Sequence, residues 1–159
     1  MRGCPHIVQL LDQVCDPSTK TPSIIMEFMP NIDFRDLYPR LDLKDIKFII
    51  LQVLRGLEFA HSMGIIHRDI KPGNVLMDMV EENGVKRRAV KVVDWGLAEF
   101  YTPGKRFNCR VASRYFKAPE LLLSNNYYDY QLDTWSTGCM LAGMMFAREP
   151  FFRGTDNDD

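Results

Sequence analysis

Apolar residues recur at Ile46, Ile49, Ile50, Val53, Leu54, Leu57 and Ala60. That spacing predicts a helix over about Leu43–Met63. Asp42 is placed to cap its start and Gly64 to follow its end. Phe48 and Leu51 add a second apolar edge, so burial on most sides is expected. A second apolar helix is predicted over Asp133–Phe146. Gly138, Ala142 and Gly143 would let it pack closely, with Met140, Met144 and Met145 in the core. Shorter apolar runs lie elsewhere. Ile7–Val14 and Ser23–Phe28 flank Cys15–Pro22, which is dense in turn formers, and read as a hairpin with a long loop. Asn74–Met79 and Ala89–Asp94 flank Glu81-Glu82-Asn83-Gly84 and read as a second hairpin with a charged tip. Residues 95–117 show no clean period and read as an ordered loop. Pro119–Leu123 can open a short helix.

The chain has 159 residues, one domain or part of one. With 46% hydrophobic and 26% charged residues it reads as globular, which excludes wholesale disorder, collagen and coiled coil. Lys plus Arg is 20 against 21 Asp plus Glu, so no overall nucleic-acid footprint exists. Cys4, Cys15, Cys109 and Cys139 have neither zinc-knuckle nor C-x-x-C spacing and read as reduced thiols. The start, Met1–His6, lacks an apolar signal region. The longest uncharged run near the other end, Thr134–Ala147, falls short of the ~20 residues a bilayer span needs. A soluble, intracellular protein without membrane or nucleic-acid partners is expected.

The candidate chemistry lies near strand ends, in His67-Arg68-Asp69-Ile70-Lys71-Pro72-Gly73-Asn74 and in Val92-Val93-Asp94-Trp95-Gly96. Phosphoryl transfer asks a protein for positioned metal ions, charge neutralisation and a group that orients the nucleophile. Asp69 is suited to accept a hydroxyl proton, and Lys71 to neutralise charge on the transferred group. Asn74 and Asp94 offer hard oxygen ligands for Mg²⁺.

These segments resemble the protein kinase superfamily. His67, Arg68, Asp69 and Asn74 fill H-R-D-x-x-x-x-N, and Asp94-Trp95-Gly96 stands for D-F-G. Ala118-Pro119-Glu120 matches A-P-E, and Asp133-x-Trp135-Ser136-x-Gly138 follows. Lys71 is of the serine/threonine type. Trp95, with His61–Asp69, Gly96–Tyr101, Arg110–Lys117 and Glu149–Phe152, resembles the casein kinase II catalytic (alpha) subunits. The resemblance implies an α+β, protein-kinase-like fold: a small-lobe remnant over 1–29, and a partial, mostly helical large lobe over 30–159.

The resemblance also implies roles. Asp69 would be the catalytic base and Lys71 a γ-phosphate contact. Asn74 and Asp94 would hold Mg²⁺. Met26 would be the gatekeeper, and Glu27, Phe28 and Met29 a hinge that bonds adenine through its backbone. Leu76 and Val93 would line the nucleotide pocket, and Asp133 would support the catalytic loop. ATP and Mg²⁺ are the implied cofactors. Lys105, Arg106, Arg110, Arg114 and Lys117 form a run free of acids. Within it Arg110, Arg114 and Lys117 match family positions that bind acidic side chains or phosphate. Acidic Ser/Thr protein substrates are therefore expected. A casein kinase II regulatory beta subunit is an implied partner, and cytoplasm and nucleus the implied location.

The resemblance is incomplete. No G-x-G-x-x-G-x-V, V-A-I-K lysine or partner glutamate for that lysine precedes the hinge segment. Gly73 stands where the family has a larger residue. The large lobe's later helices, with the arginine that pairs with Glu120, are also expected to be missing. The alternative is therefore a truncated, inactive, kinase-like interaction protein that is poorly stable alone. His6 and His61 read as packing or surface residues, and His67 as a brace for its loop. A small-molecule kinase is disfavoured by Ala118-Pro119-Glu120 and by Asp133–Gly138.

Overall fold

Asp42 accepts the Asp45 amide at 2.8 Å, and Asp45 reaches back to the Asp42 amide. This reciprocal cap starts the longest helix, α2 (Leu43–Ser62). Gly64 follows it at φ +76, a conformation that suits glycine, and its amide reaches the His61 carbonyl at 2.9 Å. The structure, a computed structural model, describes residues 3–82 and 85–154.

Before α2 come β1 (Leu10–Cys15), β2 (Pro22–Met26) and a one-turn helix, α1 (Phe34–Leu37). Asp33 caps α1 by accepting the Arg35 amide at 2.8 Å. After α2 come β3 (Ile65–Ile66), β4 (Val75–Glu82), β5 (Val85–Val92) and β6 (Glu99–Phe100). Two helices follow, α3 (Pro119–Leu122) and α4 (Gln131–Met145). The strands form antiparallel pairs β1–β2, β3–β6 and β4–β5, giving the mixed α+β architecture expected.

The main core lies where α2 meets α4 and the base of the β4–β5 hairpin. Ile46, Ile49, Val53 and Leu57 of α2 pack with Met140 and Met144 of α4 and with Val75, Val90 and Val92. A second cluster joins Ile66 to Phe107, Val111, Leu121, Tyr128 and Leu132. It fixes the loop after β6 against the start of α4.

The structure departs from the sequence pattern in several places. Leu51 and Leu54 are 46% and 41% exposed, so α2 is buried along one stripe rather than on most sides. Met145 is 54% exposed and lies outside the core, because α4 presents Met140 and Met144 inward instead. The first strand begins at Leu10. Ile7 and Val8 lie against Val92 of β5, where the Val8 amide reaches the Val92 carbonyl at 3.1 Å. Residues 95–117 carry β6 and tight 3₁₀ turns at Trp95–Leu97 and Arg114–Phe116. The expected Asn83-Gly84 turn lies outside the described residues.

The β1–β2 hairpin is exposed throughout. It is moored at its base, where Glu27 pairs with Lys91 at 2.6 Å. A cleft opens between this hairpin and the β4–β5 pair. Among the described residues, no helix is long and apolar enough to cross a membrane.

Candidate active site

β3 delivers the chain into His67-Arg68-Asp69, and one buried carboxylate holds that turn. Asp133 of α4 is fully buried and accepts the His67 and Arg68 amides, each at 2.8 Å. The His61 ring reaches the same carboxylate at 2.8 Å. Arg68 sits at φ +68, costly for a residue with a side chain. Its guanidinium offsets that cost by donating to the Leu97 carbonyl at 2.6 Å and the Tyr128 hydroxyl at 3.2 Å.

His67 is fully buried, and its Nδ1 accepts the Asp69 amide at 3.2 Å. Its Nε2 therefore carries the proton and donates to the Val93 carbonyl at 3.0 Å. Burial lowers its pKa, against the pull of Asp133, which keeps this neutral tautomer in place. The Trp95 ring meets it edge-on at 4.5 Å. His67 thus ties the loop that carries Asp69 to the strand end that carries Asp94.

Asp69 is buried with both oxygens engaged. Oδ1 accepts the Ser113 amide and hydroxyl, each at 2.9 Å. Oδ2 meets Lys71 Nζ at 2.8 Å and Asn74 Nδ2 at 3.0 Å. Lys71 also donates to Ser113 Oγ at 2.9 Å, so aspartate, lysine and serine close a triangle. Asn74 ends a 3₁₀ turn over Pro72–Asn74, and its amide nitrogen also reaches the Asp69 carbonyl at 2.9 Å.

The Val93 amide donates to the Asn74 carbonyl at 3.0 Å, which brings Asn74 beside the approach to Asp94. Asp94 is exposed at φ +58, and its Oδ1 accepts the Gly96 amide at 3.3 Å. A Cβ at Gly96 would lie 3.2 Å from that oxygen, so the turn favours glycine. Gly73 has no comparable reason, since among the described residues a Cβ there meets nothing closer than Lys71 Cε at 4.0 Å.

The donor set of Asn74 and Asp94 fits a hard divalent cation. With its nitrogen committed to Asp69, Asn74 keeps its amide oxygen for a ligand, and Asp94 adds a carboxylate. Magnesium takes few protein ligands and fills its sphere with water and phosphate. Among the described residues no group of three or more His, Cys, Asp or Glu side chains forms a self-sufficient metal cage.

The cleft beside this turn measures about 890 Å³. Met26, Glu27, Phe28, Met29, Leu76 and Val93 all line it, together with Asp94, Trp95 and Gly96. Asp69, Lys71 and Asn74 are not among its walls. Glu27 turns its carboxylate to the Gln9 amide at 2.7 Å and to Lys91. Its own amide reaches the Gln9 carbonyl at 3.0 Å. Phe28 is 89% exposed, while Met29 is buried.

Of the three basic residues, Arg110 and Lys117 share a polar pocket of about 410 Å³ with Cys109, Leu121, Leu122 and Ser124. Arg114 is exposed on the neighbouring 3₁₀ turn and is not among that pocket's walls. Lys117 is partly buried, which lowers its pKa, and it donates to the Val111 carbonyl at 2.6 Å.

Two residues outgrew their sequence reading. Ser113 joins Asp69 and Lys71, for which its place in Arg110–Lys117 was the available signal. His61 is neither plain packing nor surface, since it bonds a carboxylate 72 residues away. No local pattern announces that contact. The family model for the protein kinase domain matches residues 1–159.

Proposed function

The chain belongs to the protein kinase domain family, and from that premise we propose a serine/threonine kinase that phosphorylates acidic protein segments. It would transfer the ATP γ-phosphate to Ser or Thr, as the casein kinase II alpha subunits do. The observation that carries this reading is the triangle of Asp69, Lys71 and Ser113, with Asn74 on the same carboxylate.

In that reading Asp69 orients the acceptor hydroxyl and takes its proton. Lys71, already 2.8 Å from that carboxylate, offsets charge on the group in transfer. Magnesium, held by Asn74 and Asp94, would neutralise nucleotide phosphates. The apolar walls of the cleft, Met26, Leu76 and Val93, would take the adenine, with the Glu27–Met29 backbone at its edge. Arg110, Arg114 and Lys117 would receive carboxylates or phosphates that follow the acceptor. The same reading carries a casein kinase II regulatory beta subunit as partner, and action in cytoplasm and nucleus.

The test is phosphate transfer from Mg-ATP to a peptide with one serine followed by acidic residues. Transfer that disappears in Asp69→Asn is expected. Arg110→Ala with Arg114→Ala should raise the KM for that peptide about tenfold or more, the loss of at least one charge-assisted contact. A folded protein that neither binds ATP nor transfers phosphate would overturn the reading. An unchanged KM would remove only the acidic preference.

A further inference from the structure

We infer that the pocket between α1, the start of α2 and the β4–β5 hairpin binds a small arylalkanoate, an aromatic ring on a short chain that ends in a carboxylate. The site is separate from the cleft proposed for ATP and does not depend on the kinase reading.

The pocket measures about 250 Å³. Leu37, Leu41, Phe48, Ile49, Met77 and Val90 supply apolar walls, and Arg40, Asp45 and Arg88 bring charge to the lining. It shares no lining residue with the larger cleft. Side chains alternate along a strand. Leu76 of β4 accordingly faces the cleft, and Met77 beside it faces this pocket.

The fold braces these walls on two sides. Asn31 Oδ1 accepts the Met77 amide at 3.0 Å, and the Ile32 amide donates to the Met77 carbonyl at 3.3 Å. Those bonds pin the segment before α1 to β4. Asp45 belongs to the cap of α2 and also pairs with Arg88 of β5. One side chain thus ties the helix to the hairpin. A preformed apolar hollow with a few placed polar groups is the usual form of a small-molecule site.

Charge names the polar end of the ligand. Asp45 answers Arg88, so those two charges largely cancel. Arg40 is exposed, and among the described residues its guanidinium makes no ion pair or hydrogen bond. The described lining is therefore net positive, with one guanidinium open to a ligand. A guanidinium can hold a carboxylate by two parallel bonds. Size and shape name the apolar end. An apolar cavity of about 150 Å³ takes benzene. The larger volume here admits a ring with a few further carbons, and Phe48 offers that ring an aromatic partner. A mainly apolar lining has few groups to bond a peptide backbone, which favours a small molecule over a partner's segment.

The full chain, labelled with ¹³C in its methionine methyl groups, is titrated with 4-phenylbutanoate and followed by proton–carbon NMR. Met77 lies in this pocket, whereas Met26 and Met29 lie in the cleft. Each signal is assigned by its Met→Leu variant. The Met77 signal is expected to shift and to saturate with a Kd below about 1 mM, modest for about twelve non-hydrogen atoms. Met26 and Met29 should hold still. The neutral analogue 4-phenylbutanamide should bind about tenfold more weakly, and Arg40→Gln should weaken the acid about tenfold, each the loss of one charge-assisted contact. Ala89, also in the lining, becomes leucine in a variant that fills the pocket and should abolish the Met77 shift. Where that variant does not fold, the exposed Arg40→Gln substitution decides. No saturable shift of Met77, a shift confined to Met26 and Met29, or binding retained in folded Ala89→Leu would overturn the site. Equal binding of acid and amide, or undiminished binding to Arg40→Gln, would overturn the carboxylate as the group recognised.

Discussion

His61 Nε2 lies 2.8 Å from Asp133 Oδ2, joining the last turn of α2 to the first turn of α4 beneath the loop that carries Asp69. The same oxygen accepts the His67 amide, and its partner accepts the Arg68 amide. Asp133 therefore holds Arg68 in its left-handed conformation. Asp133→Ala leaves buried donors unpaired, at about 3 kcal/mol or more. The melting temperature should fall by roughly 6 °C or more. A double-mutant cycle with His61→Ala should return a coupling of about 1 kcal/mol. Additive losses would show that the contact contributes nothing.

Gly56 sits in the middle of α2, where alanine ordinarily stabilises a helix by about 0.5–1 kcal/mol. Here a Cβ would lie 3.0 Å from the His6 carbonyl oxygen and 3.5 Å from Val92 Cγ2. That oxygen is already fixed by the Val92 amide at 2.8 Å, so it cannot yield freely. Gly56→Ala is expected to destabilise by about 1 kcal/mol net, since overpacking costs about 1–3. Thermal denaturation checks the sign, and a higher melting temperature would show that residues 6–8 move aside.

The parts of this fold that sequence exposed were the local ones. α2 announced itself through about five turns of apolar spacing and through caps supplied by its own neighbours. Asp69 and Asn74 were legible because only four residues separate them in one motif. Leu51 and Leu54 misled because an apolar stripe can be wider than the surface that covers it. The β3–β6 pair escaped because Ile65 meets Phe100 across a gap no short window spans, with two residues on each side. His61 and Asp133 are separated still further, and only the packing of α2 on α4 unites them. Ser113 lay in a recognisable segment, but its partners come from another loop.

Two groups should make stability depend on pH in opposite directions. Burial lowers the pKa of His67 below its ordinary 6.5, so the unfolded chain binds the proton more readily. Its contribution is present above pH 6.5 and is lost as the pH falls. Burial raises the pKa of Glu149 above its ordinary 4.5, and its Oε2 has no hydrogen-bond partner among the described residues. The unfolded chain then loses that proton first, so this contribution is lost as the pH rises from 4.5. The two oppose each other between pH 4.5 and 6.5. Glu149→Gln should raise the melting temperature at pH 7 by roughly 2–4 °C, about 1 kcal/mol. It should also steepen the decline between pH 6.5 and 5. A parallel curve for the variant would show that Glu149 titrates alike in both states.

Ser113 separates positioning from chemistry. Its hydroxyl donates to Asp69 Oδ1 and accepts from Lys71 Nζ, both at 2.9 Å. Without it, Lys71 keeps only its contact with Oδ2, and Oδ1 keeps only the Ser113 amide. The carboxylate then gains freedom to turn from the direction in which it would meet an acceptor hydroxyl. A ten- to hundredfold loss of kcat is expected for Ser113→Ala, roughly the scale of general acid–base positioning. The KM for ATP should hold steady, since the cleft that would take the nucleotide is lined by other residues. Ser113→Thr retains the hydroxyl and should recover most of the rate. Steady-state kinetics on the three proteins decides the matter. A loss confined to KM, or a threonine variant as slow as alanine, would assign Ser113 to substrate contact or to packing instead.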